Sequence, residues 1–311
     1  IMAAATDDNV AILMSMGFDR TQSIHALTEC QNLEMAINSL LSGNEGASSS
    51  SPPNQTSNNN DDDVRAVHSD VSQYIEGLGR SACTAIALTM ASKFLKMMAI
   101  NNKTPASIIN SSFLSGSIQE GIQIYSTLSS SNTNATGVEH SSVEELIQAC
   151  SRESDGSVAK EVIISTIQQF DSSPRQGILS NISDNPMGLE AVLSQCQADA
   201  IDSQSYTAVV ITKPPETVLV ILPPSTSCAS GSNSNSSYIL LDSHPRPQQL
   251  IPHCPAGSYA LFHPTLSSLV SSIKQIFPVT ELGGDIPEMM TVMYNSFDAH
   301  PFRCRRACLP L

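Results

Sequence analysis

A chain of 311 residues is long enough for about two domains and at least one full hydrophobic core. Its 15 Lys and Arg against 29 Asp and Glu give a formal net charge of −14. The one basic cluster is Arg303, Arg305 and Arg306, so nucleic acid is excluded as the main partner. No run of 18 apolar residues is present, so no membrane span is expected, and Ile1–Val10 lacks the features of a secretion signal. Eight cysteines with no CxxC pair read as reduced thiols of an intracellular protein, cytoplasmic or nuclear. Neither His253–Cys254 nor Cys304 with Cys308 fits a compact zinc module, so no metal and no cofactor are expected.

Residues 1–42 form a block of apolar periodicity. Val10, Leu13 and Met14 fall at helical spacing, and Gly17 in Met16-Gly17-Phe18 permits a turn after them. Asp19 followed by Gln22 is a capping-box pattern for a second helix, with Ile24 and Leu27 expected inward. Asn32 caps a third helix carrying Leu33, Ala36, Ile37 and Leu40, and Gly43 follows its end. Over its full length this block resembles the ubiquitin-associated (UBA) domain, a three-helix ubiquitin-binding module. The resemblance implies that Met16, Gly17, Phe18, Leu40 and Leu41 form the apolar patch that meets ubiquitin.

Residues 43–69 read as a disordered linker, since the run from Gly43 to Asp63 is rich in Ser, Pro, Asn and Asp and has no aromatic residue. Residues 70–311 read as the larger domain. Its first part predicts helices over 81–95, 142–150 and 158–170. Short β-branched or aromatic runs at 206–212, 217–222, 238–242 and 258–262 predict consecutive strands, with a long loop over 225–237. Helices followed by strands argue for an α+β domain with an antiparallel sheet.

Two motifs in this domain carry chemistry. The stretch Gly77-Leu78-Gly79-Arg80-Ser81-Ala82-Cys83 leads into a helix that is apolar on nearly every face, the pattern of a buried central helix. Cys83 falls in its first turn, with Ser81 as the expected cap, where unpaired N–H groups and the helix dipole favour a thiolate. The second motif is the strand-like Tyr238–Leu241 followed by Asp242-Ser243-His244. Residues i and i+2 of a strand share a face, so Asp242 can orient the His244 ring, and His244 can take the Cys83 proton. Asp298-Ala299-His300 has the same spacing, but no convincing strand precedes it, and His263 ends a strand-like run. His244 therefore ranks first as the base, His300 second and His263 third.

A Cys opening a central helix in a Ser-Ala-Cys-Thr-Ala-Ile-Ala-Leu setting, with a distant apolar strand and Asp-x-His, is similar to the papain-like deubiquitinase domain of the herpesvirus large tegument protein and its cellular and bacterial relatives. The resemblance implies a Cys83, His244 and Asp242 triad, with an upstream Gln, here Gln73, completing the oxyanion hole. It implies hydrolysis of the bond after ubiquitin's C-terminal Gly-Gly, with ubiquitin and polyubiquitin as partners. A non-catalytic ubiquitin-binding adaptor, or a papain-like peptidase or acyltransferase with another substrate, are the alternative readings.

Overall fold

The computed structural model describes residues 9–10, 13–14, 19–29, 36, 64–75, 81–100, 103–131, 141–152, 160–171, 173–182, 185–225, 237–246, 257–281 and 288–305. In the N-terminal block, α1 (Arg20–Glu29) opens where expected, with the Gln22 N–H donating to Asp19 Oδ1 at 2.9 Å. Val10, Leu13, Ala36 and Leu27 are buried. Ile24, expected inward, is instead exposed, because the narrow buried stripe of α1 is built from Ser23, Ala26 and Leu27, and Met14 is exposed as well. Met16, Gly17, Phe18, Leu40 and Leu41 lie outside the described residues.

An eight-stranded antiparallel sheet organises the rest. Its strands are β1 (Arg65–His68), β2 (Ile167–Gln169), β3 (Arg175–Ile178), β4 (Thr207–Lys213), β5 (Glu216–Leu222), β6 (Tyr238–Asp242), β7 (Tyr259–His263) and β8 (Ser296–Cys304). They run in the order β1-β7-β6-β5-β4-β8-β2, with β3 also paired to β8. The linker expected through residue 69 therefore gives way at Arg65. Arg65–His68 pairs with Phe262–Tyr259, and the Arg65 guanidinium stacks 4.2 Å over the Phe262 ring.

Helices cover both faces of the sheet. One face carries α2 (Cys83–Ile100), α3 (Pro105–Ile108), α4 (Ser111–Ser131) and α5 (Val143–Arg152). The other carries α6 (Leu189–Ser203) and α7 (Leu266–Ile276), while α8 (Glu288–Asn295) leads into β8. The central strands divide their side chains between two cores with period two. Val210, Leu219, Ile221, Ile239, Leu241 and Ala260 face α2, while Val209, Ile211, Val218, Val220, Leu240 and Leu261 face α6 and α7. This two-sided burial explains why β4, β5 and β6 read as continuous apolar runs. The 18 residues of α2 are long and apolar enough to cross a membrane, but most of them are buried within the protein.

Two helical segments differ from the sequence reading. The helix expected over 158–170 is a π-helical turn, Lys160–Ile164, followed by β2. Ile163 and Ile167 are buried at helical spacing, but from Ile167 the chain pairs with Cys304–Phe302 of β8, and that ladder holds 167–169 extended. The long helix α4 was not legible, because Ser and Gly are weak helix formers. Packing decides it. A Cβ on Gly121 would lie 2.6 Å from the Ile86 Cα, so the missing side chain lets α4 cross directly against α2.

Candidate functional site

The helix α2 delivers Cys83 to one end of the sheet. The Ile86 N–H donates to the Ala82 carbonyl at 2.9 Å, so Ala82 is the cap and Ser81 precedes it. Thr84, in the same first turn, sits 3.1 Å from Thr217 of β5 through their hydroxyls. This seats the helix N-terminus beside the β4–β5 turn. The buried Cys83 thiol lies 3.9 Å from the Pro215 carbonyl of that turn.

At the same end, β6 stops at Asp242 and the chain turns. The His244 N–H donates to Asp242 Oδ1 at 2.9 Å, and His244 Nδ1 lies 2.6 Å from the same oxygen. The contact expected from strand alternation is thus made by a turn in which an Asp side chain accepts from the backbone two residues on. Two residues of extended strand span about 7 Å, whereas the turn folds the ring back onto the carboxylate. With Nδ1 committed to Asp242, the other ring nitrogen remains for a second partner, and the neighbouring Cys83 side chain favours the protonated ring. The Tyr74 ring packs edge-on against the imidazole, with centroids 6.2 Å apart.

The site is buried and charged. Asp242 Oδ2 accepts from Arg246 Nε at 2.8 Å and from the Tyr259 hydroxyl at 2.9 Å. Burial works against the Asp242 carboxylate, but the Arg246 guanidinium and the His244 ring outweigh it and hold the group well below the usual carboxylate range. Burial likewise works against a charged His244. The Asp242 and Glu216 carboxylates, with the hydrogen bonds to Asp242 and Cys83, overcome it and raise its pKa, which favours the imidazolium.

Gln73 reaches this site from the segment after β1. The Ser69 N–H donates to the Ser258 carbonyl and the Ser258 N–H to the Val71 carbonyl, both at 3.0 Å. A Cβ on Gly257 would fall 1.7 Å from the Ser69 oxygen, so this close approach needs glycine. The anchored chain then crosses the turn after β6. The Gln73 N–H donates to the Ser243 carbonyl at 3.1 Å, and Gln73 Oε1 accepts from the Ser243 hydroxyl at 2.8 Å. The Gln73 side chain also interacts with the buried Tyr74 hydroxyl.

Comparison with known proteins places both parts of the chain. Residues 6–40 match the UBA/TS-N domain family. The fold is similar to the ubiquitin-specific protease encoded by murine cytomegalovirus tegument protein M48, solved in complex with a ubiquitin-based suicide substrate. The two are 12% identical, the match covers 78% of this chain and 88% of that chain, and the TM-score is 0.50. At that identity the likeness is one of fold. No curated protein matches the chain.

Beyond the UBA residues, the structure gathers Cys83, His244, Asp242 and Gln73 at one end of the sheet and leaves the rival histidines elsewhere. His263 pairs with Tyr238, at the opposite end of β6 from Asp242, about 13 Å away at 3.3 Å per residue. Its Nδ1 contacts the Ser268 hydroxyl at 3.0 Å. His300 does sit on a strand, contrary to expectation, but its Nδ1 faces Gln169 at 3.1 Å and Glu144 at 3.5 Å. Pro301 hid that strand. Its carbonyl accepts from Phe170 at 3.0 Å, so its ring nitrogen also faces the β2–β3 side, where β8 passes from β3 to β2 and no ladder bond is lost. Among the described residues Cys83, Cys150, Cys196 and Cys304 form no disulfide. Burial pushes the Cys196 thiol up to about 12, against the pull of Arg175, so that thiol stays protonated. The sequence reading missed Arg246, Glu216, Tyr259 and Ser243; Arg246 reaches Asp242 four residues back, while Glu216, Tyr259 and Ser243 meet partners 30, 17 and 170 residues away. No group of three His, Cys, Asp or Glu among the described residues could hold a metal ion.

Burial lowers the His263 pKa from its ordinary 6.5 to about 4. The unfolded chain therefore binds this proton first as pH falls, and folding stability is expected to fall with pH between 6.5 and 4. His263→Gln should flatten that fall in urea unfolding at pH 7 and pH 5, while labelling of Cys83 stays close to the wild-type rate.

Proposed function

We propose that this protein is a thiol-dependent deubiquitinase that hydrolyses the bond after ubiquitin's C-terminal Gly-Gly, in a reducing intracellular compartment. The observation that carries the reading is Cys83 at the start of a buried helix, interacting with a His244 ring that is held by Asp242. The UBA match and a fold shared with a ubiquitin-specific protease support ubiquitin as the substrate.

In this mechanism the Cys83 thiolate attacks the carbonyl carbon of the last Gly. The helix-terminal N–H of Cys83 and the Gln73 amide donate to the oxyanion. The His244 imidazolium, oriented by Asp242, gives its proton to the leaving amine as the carbon–nitrogen bond breaks. Neutral His244 then takes a proton from water, which attacks the thioester and releases ubiquitin and the thiolate. The UBA residues, through Met16, Gly17, Phe18, Leu40 and Leu41, bind ubiquitin or a ubiquitin chain and raise its concentration at the site.

The test is incubation with a ubiquitin whose C-terminus carries an electrophile. The wild type is expected to form a covalent adduct and Cys83→Ala none. Tight ubiquitin binding without an adduct would identify an adaptor instead. Labelling by general thiol-protease inhibitors but not by the ubiquitin probe would identify a peptidase or acyltransferase with another substrate.

A further inference from the structure

The mechanism above uses Asp242 through one oxygen. The other oxygen leads into a second buried array. Arg246 is fully buried, and its guanidinium spans two carboxylates. Nε donates to Asp242 at 2.8 Å, while Nη2 and Nη1 donate to Glu216 at 2.6 and 3.3 Å. Glu216 is itself 5% exposed and opens β5, directly after the Pro214–Pro215 turn whose carbonyl faces the Cys83 thiol. Charges therefore alternate through the site, from Glu216 to Arg246 to Asp242 to His244. The array also ties two loops together. One holds the base, and the other borders the nucleophile.

We propose that Glu216 and Arg246 are positioning residues for the Cys83–His244 pair, with Arg246 fixing the outer oxygen of Asp242 and Glu216 fixing Arg246. Both act through Asp242 and the β4–β5 turn. A planar fork is required for this. Arginine can reach one carboxylate through Nε while gripping another through both terminal nitrogens, which an ammonium cannot do. The inference rests on the reading of Cys83 and His244 as nucleophile and base.

Among the described residues, the charged and titratable groups around His244 are Asp242 and Arg246 on its own segment, Cys83 on α2, Tyr74 after β1 and Glu216 on β5, with Tyr259 of β7 behind Asp242. Removing the Glu216 charge leaves the site more positive. Both the deprotonation of Cys83 beside the imidazolium and the later deprotonation of His244 then move to lower pH. Removing the Arg246 charge does the opposite. A purely structural role predicts slower reaction with no such opposed shifts.

The experiment follows iodoacetamide alkylation of Cys83 against pH, read on the Cys83 peptide by mass spectrometry, in the full chain. Glu216→Gln is expected to shift both steps down by about half a pH unit or more, and Arg246→Met to shift them up. Arg246→Lys should keep the wild-type midpoints with a reduced rate, because it keeps the charge and loses the fork. Profiles superimposing on the wild type, or both charge removals shifting in one direction, would overturn the proposal. If Arg246→Met does not fold, an unshifted Glu216→Gln profile is enough to overturn it. A parallel reaction with the ubiquitin electrophile separates the two readings. Opposed shifts in a protein that ignores the ubiquitin probe would end the deubiquitinase reading and keep the positioning roles. Ubiquitin labelling with unshifted profiles would do the reverse.

Discussion

Replacing His244 with Ala is expected to slow labelling by the ubiquitin electrophile about a thousand-fold or more. The loss is chemical. His244 is the titratable group that interacts with the Cys83 side chain and whose charge state the surrounding carboxylates set. Without it the thiol has no base in contact, and the leaving amine has no acid. The fold should survive the change. Arg246 and Tyr259 still hold Asp242 Oδ2, and the backbone N–H of residue 244 still donates to Oδ1. Single-turnover labelling beside a thermal melt separates the two effects. A variant labelling within about ten-fold of the wild type would remove His244 from the reaction.

The second large effect divides the other way. Asp242→Ala is expected to slow labelling less than His244→Ala but to destabilise the protein by about 3–5 kcal/mol. Asp242 is fully buried and accepts from His244, Arg246 and Tyr259. Its removal leaves the buried Arg246 with Glu216 as its remaining carboxylate and takes the acceptor from the buried Tyr259 hydroxyl. Its pH signature follows from the sign of the shift. A carboxyl held below its unfolded value contributes stability that is present above about pH 4 and is lost as pH falls through the folded value. Asp242→Ala should therefore lose much of the wild type's acid-dependent stability. Urea unfolding at pH 7 and pH 3 measures both quantities, and a variant as stable as the wild type at pH 7 would contradict the buried array.

These expectations rest on contacts of two kinds. The Asp242–His244 contact spans two residues, and the cap of α1 spans three, so each is encoded in a few neighbouring letters. Cys83 at a helix start is local as well, because an apolar run after a Gly-rich lead needs no distant partner to be recognised. Contacts such as Gln73 with Ser243, Thr84 with Thr217 and Glu216 with Arg246 join segments 170, 133 and 30 residues apart. No pattern along the chain announces them, because each forms only when the sheet has closed.

Composition and short spacings along the chain carried the acidic balance that argues against nucleic acid, the UBA pattern near the N-terminus, and the candidate nucleophile and base. The tertiary structure decided which histidine faces Cys83, since β6 and β7 run antiparallel and put His263 at the far end. It decided that His300 rides on β8, because Pro301 falls where the chain passes from β3 to β2. It alone brought Glu216 to Arg246 and Tyr259 to Asp242, because a buried charge must find its partner wherever in the chain that partner lies.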